Sequence, residues 1–168
     1  RLAILLLLLS SGQSRVNLAA DDRALVNQVQ AEVSILRQGV FRVLNDKELE
    51  TAMKLTHPAI IAAAGGLERA RENATSSARK QATSLFKIEK VEFLDPPRFF
   101  AGMEYEFVLV PVAMTMSRAD RTRNQSFTFY LGGRKKGDAS WVYVDAAKLS
   151  QGKATDYFPD YPEETKFP

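Results

Sequence analysis

His57 is the single imidazole of the chain, and its ordinary pKa near neutrality makes it the first residue to weigh for acid–base chemistry. It stands directly before Pro58, so its competing role is local: a cap or a backbone hydrogen bond at a helix boundary. A general base needs an orienting partner, and spacing offers two carboxylates. Asp145 closes the strand pattern Trp141-Val142-Tyr143-Val144, on the face of Trp141 and Tyr143. It reads either as a pocket carboxylate or as the N-cap of a short turn over Ala146-Ala147-Lys148-Leu149. Glu104 and Glu106 flank Tyr105, and that spacing puts both on one face of a strand. Such a pair can share a proton or hold a cation, and it can equally be a solvated strand end. The candidate catalytic set is therefore His57, Asp145 and Glu106.

A second kind of site needs no titrating group. Phe99, Phe100, Tyr105, Phe107, Phe127 and Phe129 fall in or beside strand-like stretches, and together with His57 they are the candidate lining of an apolar ligand pocket. Singly, each serves as well for ordinary core. The absence of cysteine removes disulfide scaffolds, thiolate zinc sites and cysteine nucleophiles. One histidine removes any multi-histidine metal centre. No metal and no cofactor is expected.

The start of the chain reads as an address. Arg1 is followed by the apolar run Leu2 to Leu9 and then by Ser10-Ser11-Gly12-Gln13-Ser14, a basic, greasy and small-residue order typical of a secretory signal. Eight residues of helix span about 12 Å against a hydrocarbon core of about 30 Å, so a membrane span fails on length. Residues 1–14 are expected to direct export, secreted or periplasmic, and to be removed. Formal net charge is +3, too little for general nucleic-acid binding. Arg134-Lys135-Lys136 and the cluster Arg118, Arg121, Arg123 read as solvated loops.

Around these residues the periodicity supplies elements. Leu25, Val29, Val33, Leu36, Val40, Phe41 and Leu44 recur at helical spacing behind Asp21-Asp22, with Asn45-Asp46 as a stop and a new cap. Gly39 inside that pattern points to close packing or a bend. Further helices are predicted over about 47–55 and 67–82. After Ser84 the period becomes two. Strands are predicted over 86–94, 105–116, 125–131 and 141–145, with Gly132-Gly133 opening a hairpin loop that runs to Asp138. Pro111 inside the second strand predicts an edge or a bulge there. Three helices followed by four antiparallel strands define an α+β fold, with an aromatic, proline-rich tail over 151–168. The second strand is apolar on both faces: Tyr105, Phe107 and Leu109 on one, Val108, Val110, Val112 and Met114 on the other. One face should meet the helices, and the other a partner subunit or the tail. A homodimer through the sheet is the expectation.

This order resembles a known family. A long helix, a short helix, the segment Thr56-His57-Pro58-Ala59-Ile60-Ile61 leading to Gly65-Gly66, and a sheet ending in Trp141-Val142-Tyr143-Val144-Asp145 look like the nuclear-transport-factor-two-like superfamily (the SnoaL-like, cystatin-like cone). The resemblance spans roughly residues 22–150, within a domain over 15–150, and is closest to small exported bacterial members. It implies helices packed across a curved sheet of about four strands, with a pocket at the open end. The superfamily holds isomerases, dehydratases, polyketide cyclases and non-catalytic association domains, so fold alone does not decide activity. Its enzymes place an Asp or His in an apolar pocket, and no acidic residue here stands at an obviously matched position beside His57. The leading reading is an exported non-catalytic module that binds a small apolar molecule or associates through its sheet. The alternative is a pocket enzyme of isomerase, dehydratase or cyclase type using His57 with a carboxylate. A third, a peptide- or envelope-binding module, would use an exposed aromatic tail.

Overall fold

The computed structural model of the chain describes residues 20–118, 122–145, 149, 151–162 and 165. The expected signal over 1–14 and residues 146–148 of the turn expected over 146–149 lie outside these residues. Helix α1 (Ala20–Phe41) is followed by α2 (Asp46–Leu55), α3 (Pro58–Ala63) and α4 (Leu67–Ala82). Strands β1 (Phe86–Phe93), β2 (Arg98–Ala101), β3 (Tyr105–Arg118), β4 (Arg123–Lys135) and β5 (Val142–Asp145) then form one antiparallel sheet, and a short 3₁₀ helix covers Gln151–Asp156. The α+β class is as expected. The element count is larger by one helix and one strand among the described residues.

The extra helix is α3. Pro58 occupies its first turn, where a missing N–H costs nothing, and His57 is its N-cap. Gly65 and Gly66, at φ +92° and +103°, then turn the chain into α4 in a conformation that a side chain would strain. Upstream, α1 stops at Phe41 rather than Leu44. Asn45 caps α2 reciprocally: its side chain accepts from the Glu48 backbone N–H at 2.9 Å, and its own N–H donates to the Glu48 carboxylate at 3.0 Å.

The extra strand is β2, and it explains Pro111. Strand β3 is central, with β4 along one flank and β1 and β2 sharing the other. β1 ends where Phe93 faces Val112, and β2 begins where Arg98 faces Leu109. The Pro111 carbonyl accepts from the Leu94 N–H on that flank. The N–H that proline lacks would point the same way, into the gap between the two short strands. Proline is thus tolerated mid-strand because its flank changes partner there.

A further correction concerns the sheet, and its second face can be assigned. Gly132 and Gly133 are not loop residues: they lie in β4, opposite Val108 and Phe107. A Cβ at Gly132 would stand 2.7 Å from the Tyr143 ring, and one at Gly133 would stand 2.3 Å from Phe158. These glycines admit a ring on each face of the strand rather than a turn. The second apolar face meets the tail, one of the two alternatives expected for it. Val108, Val110 and Val112 pack under Val29 and Val33 of α1. Phe107, Leu109, Phe129 and Leu131 are covered on the opposite face by Ala154, Phe158 and Tyr161. The tail is therefore folded at those positions, against the reading that needed it exposed. Asp160 ties it down, accepting from the Glu104 and Tyr105 backbone N–H groups at 2.7 and 3.1 Å.

Candidate functional site

A groove of about 260 Å³ opens between α1 and the β2 end of the sheet. Its walls are Leu25 of α1, Phe99, Phe100 and Ala101 of β2, Phe107 of β3, and Trp141 just before β5. Strand register builds its polar corner. Glu106 and Arg134 are directly opposed on β3 and β4, and the Arg134 Nε donates to the Glu106 carboxylate at 2.7 Å. The guanidinium carbon lies 4.6 Å from the Trp141 ring centroid, over its face, an attraction between cation and ring quadrupole. Phe99 tilts against the same indole at 6.2 Å between centroids. Trp141 is 1% exposed, and its Nε1 has no hydrogen-bond partner among the described residues. The groove is thus an aromatic slot with a neutralised charge pair.

Of the aromatic residues singled out by sequence, Phe99, Phe100 and Phe107 reach this groove. Tyr105 and Phe129, like Phe100 and Phe107 themselves, belong to the tail-covered cluster on the outer face. Phe127 is on neither and is 64% exposed. The carboxylates also part company. Glu104 precedes β3, where its N–H and carbonyl serve turn hydrogen bonds to Asp160 and Lys136, so it does not pair with Glu106. Asp145 is exposed at the end of β5 and accepts from the Thr128 hydroxyl at 3.1 Å. Trp141 and Arg134 are the site residues that sequence reasoning missed. Reading Gly132-Gly133 as strand would have extended the register and set Arg134 opposite Glu106.

His57 sits elsewhere. Its N–H donates to the Tyr143 carbonyl at 3.0 Å, fixing the α2–α3 corner to β5. Its Nδ1 accepts from the Ala59 N–H at 3.1 Å, and the ring packs edge-on against Phe158 and Tyr157 at 4.9 and 5.4 Å. Burial lowers its pKa from the ordinary value, and a backbone hydrogen bond at Tyr157 works in the opposite direction. Both structural contacts suit a neutral ring: the capping Nδ1 must be unprotonated to accept. Neither Glu106 nor Asp145 is brought into hydrogen-bond or ion-pair contact with it.

A second cleft, of about 220 Å³, lies among the helices α1, α2 and α4. Leu36, Val40, Leu44, Met53 and Ala78 line it, and its charged neighbour Arg42 is engaged with Glu48 at 2.7 Å. No group in it offers chemistry beyond contact. Among the described residues no cluster of histidines and carboxylates can hold a metal ion, and no helix is long and apolar enough to cross a membrane.

No known family and no curated protein matches this chain. A solved structure described as a nuclear transport factor 2 (NTF2-like) superfamily protein from Salmonella enterica subsp. enterica serovar Typhimurium str. LT2 is similar to it, at 13% identity over 79% of this chain and 98% of that chain, with a TM-score of 0.35. The fold described above rests on element order and register, and takes nothing from it.

Proposed function

We propose that this chain is an exported, non-catalytic module that binds a small apolar molecule in the groove bounded by Leu25, Phe99 and Trp141. One observation carries the reading: an aromatic slot whose only charged groups among the described residues, Glu106 and Arg134, are spent on each other at 2.7 Å. Its volume of about 260 Å³ is just under the ~300–1,000 Å³ of drug-sized sites, which favours a compact ligand. Trp141 is the single tryptophan, so its emission reports on the groove without labelling. Titration with small ring compounds should change that emission saturably, and Phe99→Ala should weaken binding about tenfold, the worth of roughly 50 Å² of lost apolar contact. Unchanged emission with every probe at millimolar concentration would count against the reading.

Export rests on the basic, apolar and small-residue pattern of residues 1–14. N-terminal sequencing of protein recovered outside the cytoplasm should find a start between about Gln13 and Ala20. An intact Leu2–Leu9 segment on a cytosolic product would refute it. Self-association through the sheet is proposed only for the outer face beyond the tail, where Phe127 is 64% exposed. Phe127→Asp should then dissociate a dimer in sedimentation, and a monomeric wild type at micromolar concentration would end that proposal.

A further inference from the structure

Charge at the polar corner of the groove is balanced, but bonding capacity there is not used up. The contact at 2.7 Å joins the Arg134 Nε to one oxygen of Glu106. A guanidinium carries five N–H donors and a carboxylate two accepting oxygens, so such a pair can close with two parallel bonds. This one closes with a single bond. Among the described residues the second Glu106 oxygen and the two Nη groups of Arg134 have no hydrogen-bond partner. Neither side chain is sealed off: Glu106 is 40% exposed and Arg134 20%, and both line the groove. The Trp141 ring face beneath the guanidinium holds Arg134 in place, and Phe99, 39% exposed, offers a ring on the same groove.

The unused groups are of opposite kind. The carboxylate oxygen can only accept, and the Nη groups can only donate. An anion would satisfy Arg134 and be repelled by Glu106. A cation would satisfy Glu106 and be repelled by Arg134. A neutral group with an acceptor and an N–H side by side meets both, in hydrogen bonds strengthened by the charge on the protein side. A primary carboxamide or a lactam has that edge. On the ligand-binding reading just given, we infer that the groove takes a neutral ring compound bearing an amide edge, whose carbonyl accepts from Arg134 and whose N–H donates to Glu106.

The test titrates the full chain, labelled with ¹⁵N, with four probes that share a phenyl ring and nearly the same shape. Benzamide carries the amide edge, and acetophenone keeps the carbonyl but lacks the N–H. At neutral pH benzoate is an anion and benzamidine a cation. Affinities are read from the Phe99 and Ala101 backbone amide resonances. Benzamide should bind about tenfold more tightly than acetophenone, the lower end of what a hydrogen bond to a charged group is worth. The ketone leaves water more readily, so burial of apolar area alone would rank the two the other way. Benzoate and benzamidine should both bind more weakly than benzamide. Glu106→Leu should abolish the benzamide advantage and strengthen benzoate about tenfold, because Arg134 is then unopposed. Acetophenone or either ion matching benzamide, or an advantage that survives Glu106→Leu, would overturn the inference while leaving groove binding intact. The wild-type series decides alone if the variant does not fold. If no probe perturbs Phe99 and Ala101, the ligand-binding reading itself fails, and the inference with it.

Discussion

Adding one methyl group at Gly133 should uncouple the tail from the sheet. The new Cβ would stand 2.3 Å from one edge carbon of the Phe158 ring, with two more ring carbons at 2.7 and 2.8 Å. The ring has little room to retreat. Phe158 is fully buried, with His57 edge-on at 4.9 Å and Phe107 at 5.6 Å between centroids. Overpacking of this kind costs about 1–3 kcal/mol, and losing the Phe158 packing outright costs about 3–5 kcal/mol. Gly133→Ala should therefore destabilise by about 2–4 kcal/mol, a fall in Tm of roughly 5–15 °C for a chain of this size. Gly39→Ala is the matched control. Its Cβ would meet the Leu44 side chain, with Cδ1 at 3.1 Å and Cγ at 3.7 Å, and that side chain can rotate. The helix meanwhile gains about 1 kcal/mol from replacing glycine, so this variant should be neutral or slightly more stable. Urea unfolding of both variants, and of Gly133→Ala combined with Phe158→Leu, decides the matter. The pair should couple by at least ~1 kcal/mol, because the smaller side chain makes room for the methyl group. Gly133→Ala within about 0.5 kcal/mol of wild type, the usual range for innocuous surface changes, would refute the packing argument.

Arg37 is 3% exposed, and among the described residues its Nε and Nη2 have no hydrogen-bond partner; its Nη1 contacts the Tyr130 hydroxyl at 3.4 Å, and its guanidinium carbon lies 5.1 Å from the Phe41 ring centroid and 5.9 Å from that of Tyr130. Arg37→Met should raise stability by about 1–4 kcal/mol in urea unfolding, and a loss above ~1 kcal/mol would mean the charge is better compensated than these contacts allow. Glu48 is held at about 2, below its ordinary 4.5, by the Arg42 guanidinium first and the Asn45 N–H second. Its folded pKa is depressed, so its contribution is present above pH 4.5 and lost as pH falls towards about 2. Acid titration of Glu48→Gln should lack that component. His57 also has a lowered folded pKa, so its contribution is full above the ordinary value of about 6.5 and declines as pH falls through the folded pKa. His57→Gln should change stability by no more than about 1 kcal/mol at pH 7.5 and flatten the mildly acidic part of the profile; a steeper profile in the variant would contradict the neutral-cap assignment.

Periodicity carried most of the fold. Val29 and Val33 against Val108, Val110 and Val112 is a helix stripe meeting one face of a strand, and both patterns are visible in the residues themselves. Failures came where a residue type has two uses. Glycine at 132 and 133 signals a turn by type, yet here it grants two rings access to a strand. Proline at 58 marks a helix boundary by type, and here it is the first residue of α3, six residues too short to show a period. The four residues of β2 are too few to show a period. The site was legible in part. Phe99, Phe100, Phe107 and Glu106 were singled out, whereas Arg134 was assigned to solvent because its partner is 28 residues away and depends on register. His57 and the carboxylates were read as possible associates on chemical type alone, and type says nothing about which side of a sheet each reaches.

The tail that covers the outer face also sets an order on biogenesis. All five strands precede residue 146, whereas the cover, Ala154, Phe158 and Tyr161, follows them. Helices α1 to α4 precede the sheet, so in a chain made from its N-terminus one face can be sheltered as each strand emerges. The Phe107, Leu109, Phe129 and Leu131 face must wait. Until the tail docks, the nascent sheet carries a row of large apolar side chains open to water and to other chains. That interval is when a holding chaperone would find its grip, and when crowded synthesis would convert the chain to aggregate rather than product.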